Sequence, residues 1–358
     1  MRTVRYIMVA ALWSAGLLGT VTSAAESTSV LPLRVVHADL PLPGKPDQAY
    51  VPINQQSTGK APLKKDINRF DYESIDPQRQ LLFISHLGAD SVDVVDLRNN
   101  RVIANIKGVP AVHGVLAVPE LDEVFANATA INQLEVISEK TLHIIAHVPT
   151  GVHPDGMAYA PKVHELFISD ETGQTETVVD TRNNRRVATI AMGGEVGNSQ
   201  YDPVSQRVFA DVQTRNEIVA INPRRNVTVQ RYRLPDTCVH DHSLLIDAPA
   251  RLAFVACDGN ARLLLLNMRD MHVLSVHKTG RHPDVLAFDP GLQRLYVASE
   301  SGVVAVFQLK GKQLRLLGRN YLAYEAHSVA VDPQTHRVYF PLQNVDGHGV
   351  LRIMAPTL

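Results

Sequence analysis

The chain has 358 residues, with 35 Lys plus Arg against 36 Asp plus Glu, a formal charge of −1. That balance leaves no basic footprint for a phosphate backbone, so nucleic acid is not an expected partner; 45% apolar residues exclude a disordered chain. Two cysteines exclude a disulfide-dense scaffold and a Cys-rich metal cluster.

Residues 1–25 read as a secretory signal. Arg2 and Arg5 form a positive end, Tyr6 to Val21 is mostly apolar, and Thr22-Ser23-Ala24-Ala25 supplies small residues for cleavage. A retained membrane anchor is the alternative, although the apolar stretch is short for a span. The expectation is an exported protein, periplasmic or secreted, with no membrane span in the mature chain. The single tryptophan, Trp13, lies in this leader.

Residues 26–68 hold an orphan strand, LRVVHADLPL at 33–42, and then the polar segment PGKPDQAYVPINQQSTGKAPLKKDIN. A structureless segment of that length either covers a functional mouth or serves as a passive tether.

From residue 69 to 358 one unit recurs seven times: a strand, a turn on proline, and a second strand. The copies include FDYESIDPQRQLLFIS, DGMAYAPKVHELFIS and SVAVDPQTHRVYFP. The prolines are Pro77, Pro119, Pro161, Pro203, Pro249, Pro290 and Pro333, at a spacing of roughly 42 residues. Each unit continues with an alternating strand such as SVDVVDL or TETVVD, a polar turn, and a fourth strand such as RVATIAMG. Period-2 alternation and β-branched residues predict four short strands per unit, the blade of an all-β, seven-bladed β-propeller. The seventh unit lacks its outer strand, which the strand at 33–42 would supply, closing the ring and removing two open edges. Such a closed ring is expected to be a monomer.

The units HPDGMAYAPKVHELFISDETGQTETVVDTRNNRRVATI and RHPDVLAFDPGLQRLYVASESGVVAVF resemble the YVTN (Tyr-Val-Thr-Asn) β-propeller repeat family of exported bacterial and archaeal proteins. The resemblance spans residues 69–358 and implies a seven-bladed fold. It implies little about activity, since members are known mostly as binding proteins and related seven-bladed families include lactonases and lyases.

Chemistry emerges when the units are stacked on their prolines, with Ala248 as the anchor of the fifth because DAP carries one extra residue there. Six positions before the anchor stand Asp71, His113, Asp155, Gly197, His242, Asp284 and His327. Eight positions before stand Arg69, Ala111, His153, Glu195, His240, His282 and Glu325. These slots hold six of the fifteen histidines and five carboxylates, all before the innermost strand and therefore at one mouth of the axial channel. Three readings stay open. The residues are repeat grammar. Or they form a polar site for a small ligand or a protein partner, with Asp71, His113, His153, Asp155, Glu195, His240, His242, His282, Asp284, Glu325 and His327 as contacts. Or His113, His240, His242, His282 and His327 ligate zinc, copper or iron, and the protein is a metal-dependent hydrolase, lactonase or lyase. No cofactor is named by the sequence. Residues closing the second strands (His86, Asn127, Asp170, Asp211, Asp258 and Glu300) are expected at the same end, His86 near His113 foremost.

Cys238 precedes the first strand of the fifth unit and Cys257 ends its second. Antiparallel neighbours at that spacing are within disulfide reach; two free thiols acting as soft metal ligands are the alternative.

Overall fold

The computed structural model describes residues 30–43 and 68–357. The leader, Trp13 and nearly all of the 43–68 linker lie outside them.

The described residues form seven antiparallel sheets arranged as the blades of a β-propeller. Blade one contains Glu73–Asp76, Leu81–His86, Ser91–Asp96 and Arg101–Lys107, and each adjoining pair is joined by a short turn. The pattern repeats through blade six, which ends with Val303–Lys310 and Gln313–Tyr321. Blade seven contains Ala330–Val331, Val338–Val345 and His348–Pro356. Its fourth strand comes from the N-terminal side, in two pieces rather than one: Leu33–Val35, in register Leu33↔Pro356, and Leu40–Pro41, in register Leu40↔Leu351. Pairing of sequence-distant strands at this point closes the ring.

Burial follows the two-residue alternation of the middle strands. Apolar clusters sit between blade faces: Phe83, Val94 and Val124 between blades one and two, and Tyr296, Val306 and Phe340 between blades six and seven. The DP turns are explained by the Asp. Its carboxylate accepts backbone N–H groups two and three residues on, as Asp76 does from Gln78 and Arg79 and Asp289 from Gly291 and Leu292. This is the Asx-turn chemistry that lets Asp-Pro end a strand.

Two sets of β-bulges punctuate the blades. In the outermost strands of blades one to six the register skips one residue, at Ile103, Ile145, Val187, Val229, Leu274 and Leu317. A bulge twists an edge strand and spoils it as a template for edge-to-edge pairing. The second set lies at the start of the innermost strands and shapes the site.

Cys238 and Cys257 are disulfide-bonded, with Cα atoms 5.3 Å apart. The bond ties the segment leading to His240 and His242 to the end of the second strand of blade five.

Candidate functional site

At the entry to the innermost strands of blades two to six, the register with the second strand jumps: Val112↔Ala128 is followed by Val115↔Ala126, and Pro154↔Asp170 by Met157↔Ile168. The same jump occurs after Val196, Asp241 and Pro283. The residues spanned include His113, Asp155, Gly197, His242 and Asp284, the slot six before the anchor. A bulge re-aims the side chain it carries, and here it sends that slot to the axis. Charge interactions establish the convergence. Asp155 of blade three feels Asp71 of blade one, His242 of blade five and Asp284 of blade six. Non-adjacent blades meet only on the axis.

Gly197 is the exception in the ring. A Cβ there would lie 2.4 Å from the carbonyl oxygen of His242 and 2.8 Å from Asp211 Oδ1. Glycine thus lets blades four and five close up and admits the Asp211 carboxylate in place of a side chain of its own.

The slot eight before the anchor has a different explanation. Ala111, His153, His240, His282 and Glu325 all adopt left-handed backbone, with φ of +48°, +60°, +59°, +52° and +47°. Among non-glycine residues this region favours Asn, Asp and His. Three of the six aligned histidines therefore occupy a turn position whose geometry suits them. His240 and His282 are partly exposed and share one partner, the Asp258 carboxylate, at 3.6 and 2.9 Å from their Nδ1 atoms. His153 is buried and points inward. Glu195 is held by its backbone: its N–H donates to Thr214 Oγ1 and its carbonyl accepts from the Gln213 N–H.

An arc of polar contacts runs around the mouth. His153 Nε2 lies 3.1 Å from Glu171 Oε2, Gln213 Nε2 donates to Glu171 Oε1 at 2.7 Å, and His242 Nδ1 meets Gln213 Oε1 at 2.7 Å. His242 Nε2 then lies 3.4 Å from Asp284 Oδ1. With the Gln213 amide nitrogen committed to Glu171, its oxygen only accepts, so His242 Nδ1 carries a proton; Nε2 faces a carboxylate and carries the other. Burial disfavours that charge, but Asp284, with Asp155 and Glu171 behind it, outweighs burial and holds the imidazole well above its usual range. Burial likewise pushes Asp284 up, and His242 together with His327 and Arg69 more than reverses it, so Asp284 is held low and ionised.

The rest of the ring differs. Asp71, buried beside Asp284, is pushed up to about 7 despite His327 and Arg69. Asp155 is held well above the carboxylate range by burial and then by Asp71 and Glu171. Burial and the neighbouring His153 hold His113 well below its usual value; the two rings meet edge to face with centroids 4.9 Å apart. His113 Nε2 stands 3.8 Å from Asp71. Arg69 crosses from blade one to Glu300 of blade six, 3.0 Å away, over the loop of blade seven. On that loop His327 Nδ1 donates to the Glu325 carbonyl at 2.8 Å, and Gln343 Nε2 donates to Glu325 Oε2 at 2.9 Å.

The second-strand residues divide. Asp258 and Glu300 belong to the mouth, as above. Asn127 bonds the Asp155 carbonyl across two blades at 2.6 Å. Asp170 is absorbed by Gly151, Thr175 and Thr177. His86 is fully buried against Phe70 and pairs with Asp93 at 2.8 Å, a structural contact inside blade one. Asp211 and Asp241, mutual neighbours between blades four and five, are both raised by burial, Asp241 to about 8. Glu171 and Gln213, central to the arc, were not anticipated. The signal existed: ten positions after the anchor the units read Leu87, Thr129, Glu171, Gln213, Asp258, Glu300 and Gln343, and the last five of these meet −8 or −6 residues.

Just beneath the ring, the inner strands enclose a channel cavity of about 180 Å³, lined by residues of all seven blades. Among the described residues no three His, Cys, Asp or Glu side chains are grouped so as to hold a metal ion, so the five candidate ligands His113, His240, His242, His282 and His327 do not form one donor set here. No helix among the described residues is long and apolar enough to cross a membrane.

No protein-family model matches the chain, and no curated protein matches it. Solved structures do. Hydrazine synthase of Kuenenia stuttgartiensis superposes with a TM-score of 0.69 at 14% identity, covering 81% of this chain and 96% of that one. U3-55K gives 0.67 at 11%, covering 81% and 97%, and the RRP9 WD40 repeats give 0.67 at 12%, covering 83% and 99%. At these identities the likeness is one of fold, the seven-bladed β-propeller.

Proposed function

We propose that the protein is an exported binding protein that takes a small polar ligand at the His- and carboxylate-rich mouth of its axial channel. The observation that carries this reading is a group of buried polar atoms at the mouth without hydrogen-bond partners, among them Arg69 Nε, His153 Nδ1, Asp155 Oδ1 and His327 Nε2. A buried polar group left unpaired costs the fold, and such groups concentrate where a partner is received. The leader-like residues 1–25 and the resemblance to exported repeat proteins support export. The test is thermal melting with a panel of small organic cations, carboxylates and sugars, run on the wild type and on His242→Gln. A ligand that raises the melting temperature of the wild type alone supports the reading. A panel without effect refutes it and leaves a protein-docking platform.

A second reading, a hydrolase, lactonase or lyase, is favoured by Asp71, which sits near neutrality, where an acid–base group works best. Turnover of a lactone or ester panel that Asp71→Asn abolishes would support it.

A further inference from the structure

The end of the propeller opposite the mouth carries a second surface with a chemistry of its own. Twenty-one residues after the anchor, in the turn between third and fourth strands, blades one to five place Arg98, Lys140, Arg182, Arg224 and Arg269. In blade six Lys310 and Lys312 flank the same slot, and all seven side chains are exposed. The turn is built alike each time. Two residues beyond the basic one, Asn100, Leu142, Asn184, Asn226 and Met271 adopt left-handed backbone, with φ from +49° to +57°. In four of these turns the last residue of the third strand (Asp96, Asp180, Asn222 or Asn267) accepts the N–H of the basic residue with its side chain. Blades are related by rotation about the axis, so equivalent residues stand at one height. The outcome is a flat arc of cations over six blades.

The compensation of this charge is uneven. Lys140 pairs with Asp122 and Arg182 with Asp180. Among the described residues Arg98, Arg224 and Arg269 have no carboxylate within ion-pair distance. The aspartates that cap the turns between first and second strands, such as Asp76, Asp202 and Asp289, are fully buried. Exposed or half-exposed acids at this end stand in blade two, as Glu120 and Asp122, and in blade five, as Asp270. The surplus is greatest in blades three and four. There Lys162, Arg182, Arg185, Arg224 and Arg225 are exposed, against Asp180, which is bonded to Arg182, and Glu165, which accepts from Asn226. Beside them Val204, on the turn between the first two strands of blade four, is 59% exposed.

We infer that this end of the propeller docks on an anionic lipid bilayer. A guanidinium meets a phosphate through two N–H groups, each cation near an anionic leaflet adds attraction, and an exposed valine enters the headgroup boundary. A flat arc spread over six blades suits a surface; a nucleic-acid rod or one acidic peptide would touch only a few of its turns.

Cosedimentation of the full chain with phosphatidylcholine vesicles, with and without phosphatidylglycerol, tests this. Repeating it without residues 1–25 tells binding by the leader apart. Binding is expected to need phosphatidylglycerol and not residues 1–25. It should collapse as salt rises from about 0.1 M to 1 M, where the screening length falls from about 10 Å to about 3 Å. Arg224→Gln with Arg225→Gln should weaken it roughly 10-fold or more, and Val204→Ser roughly 5-fold. Arg281→Gln, which removes an exposed cation at the mouth end, should leave it unchanged. A melting curve for each protein establishes that it is folded, so that lost binding is read as a lost contact. Equal binding to phosphatidylcholine alone, binding that disappears with residues 1–25, or a double variant that binds like the wild type would overturn the inference. So would soluble poly-glutamate that binds as tightly as the vesicles, because the face would then serve an acidic protein.

Discussion

The two ends of the axial channel are built by the same strands and use the same residue type to opposite effect. At the turn end, Asp202 accepts the N–H groups of Val204 and Ser205, the Ser205 hydroxyl, and the Arg251 guanidinium at 2.7 and 2.8 Å. Burial works against its charge, but these bonds win and its carboxyl is held below the usual range; Asp76 behaves alike. At the mouth end, Asp71 and Asp155 lack such donors and are held above that range. Acids with full complements of donors fasten the blades. Acids without them leave the fold with an unmet demand that a ligand can meet.

The contrast can be broken most forcefully at the turn end. Asp202→Ala would leave Arg251, 12% exposed, without its partner, at a cost of roughly 3–5 kcal/mol. Scanning calorimetry should show a large fall in melting temperature; an unchanged value would mean the turn acids do not carry the fold. Next in size is the bond bracing the mouth. Cys238→Ala with Cys257→Ala opens a loop with a sequence separation of 19, worth about 3 kcal/mol in the chain-entropy account. Urea unfolding should move to a lower midpoint, and an equal midpoint would refute the bracing role.

Titration sharpens the comparison further. Asp71 is raised to about 7, and Asp241 and Glu176 to about 8, all first by burial. A carboxyl raised in the native state binds more protons there than in the unfolded chain, so its contribution to stability falls as pH rises from about 4 through its native value. The ligand-free protein should lose a few degrees of melting temperature between pH 5 and 8, and Asp241→Asn should lessen that loss. The lowered turn acids act in another window, losing their contribution only as pH falls below about 4. A melting temperature that climbs from pH 5 to 8 would contradict the assignment. The smallest expected effect is that of Asp155→Asn, which removes a carboxyl with no donor of its own. Stability at pH 7 should stay within about 1 kcal/mol of wild type or rise slightly, in contrast to Asp202→Ala in the same calorimeter.

Much of the fold was readable because strand alternation, Asp-Pro turns and seven-fold repetition are local signals that reinforce one another. The disulfide and the closing strand followed from the same register. The site was legible only in part. Stacking the units puts Asp71, His113, Asp155, His242, Asp284 and His327 in one slot, and in blades two to six a bulge at that slot turns it toward the axis. It could not separate them from His240 and His282, whose presence reflects left-handed backbone, a property that alignment on proline does not reveal. Glu171 and Gln213 do not stand out when the second strands are aligned on their last polar residue, because that residue lies at different distances from the anchor in different units. At a fixed offset of ten the pairing partners of the mouth fall into line, and His86 drops out as a core residue.

The pairing of Leu33 with Pro356 also governs when the molecule can become itself. A ribosome delivers the first half of this clasp before blades one to six and the second half after them, so the closing strand waits without a partner while six blades are made. Until the second half arrives the blade faces at the gap stay uncovered, and the chain waits with exposed apolar surface of the kind that draws chaperones.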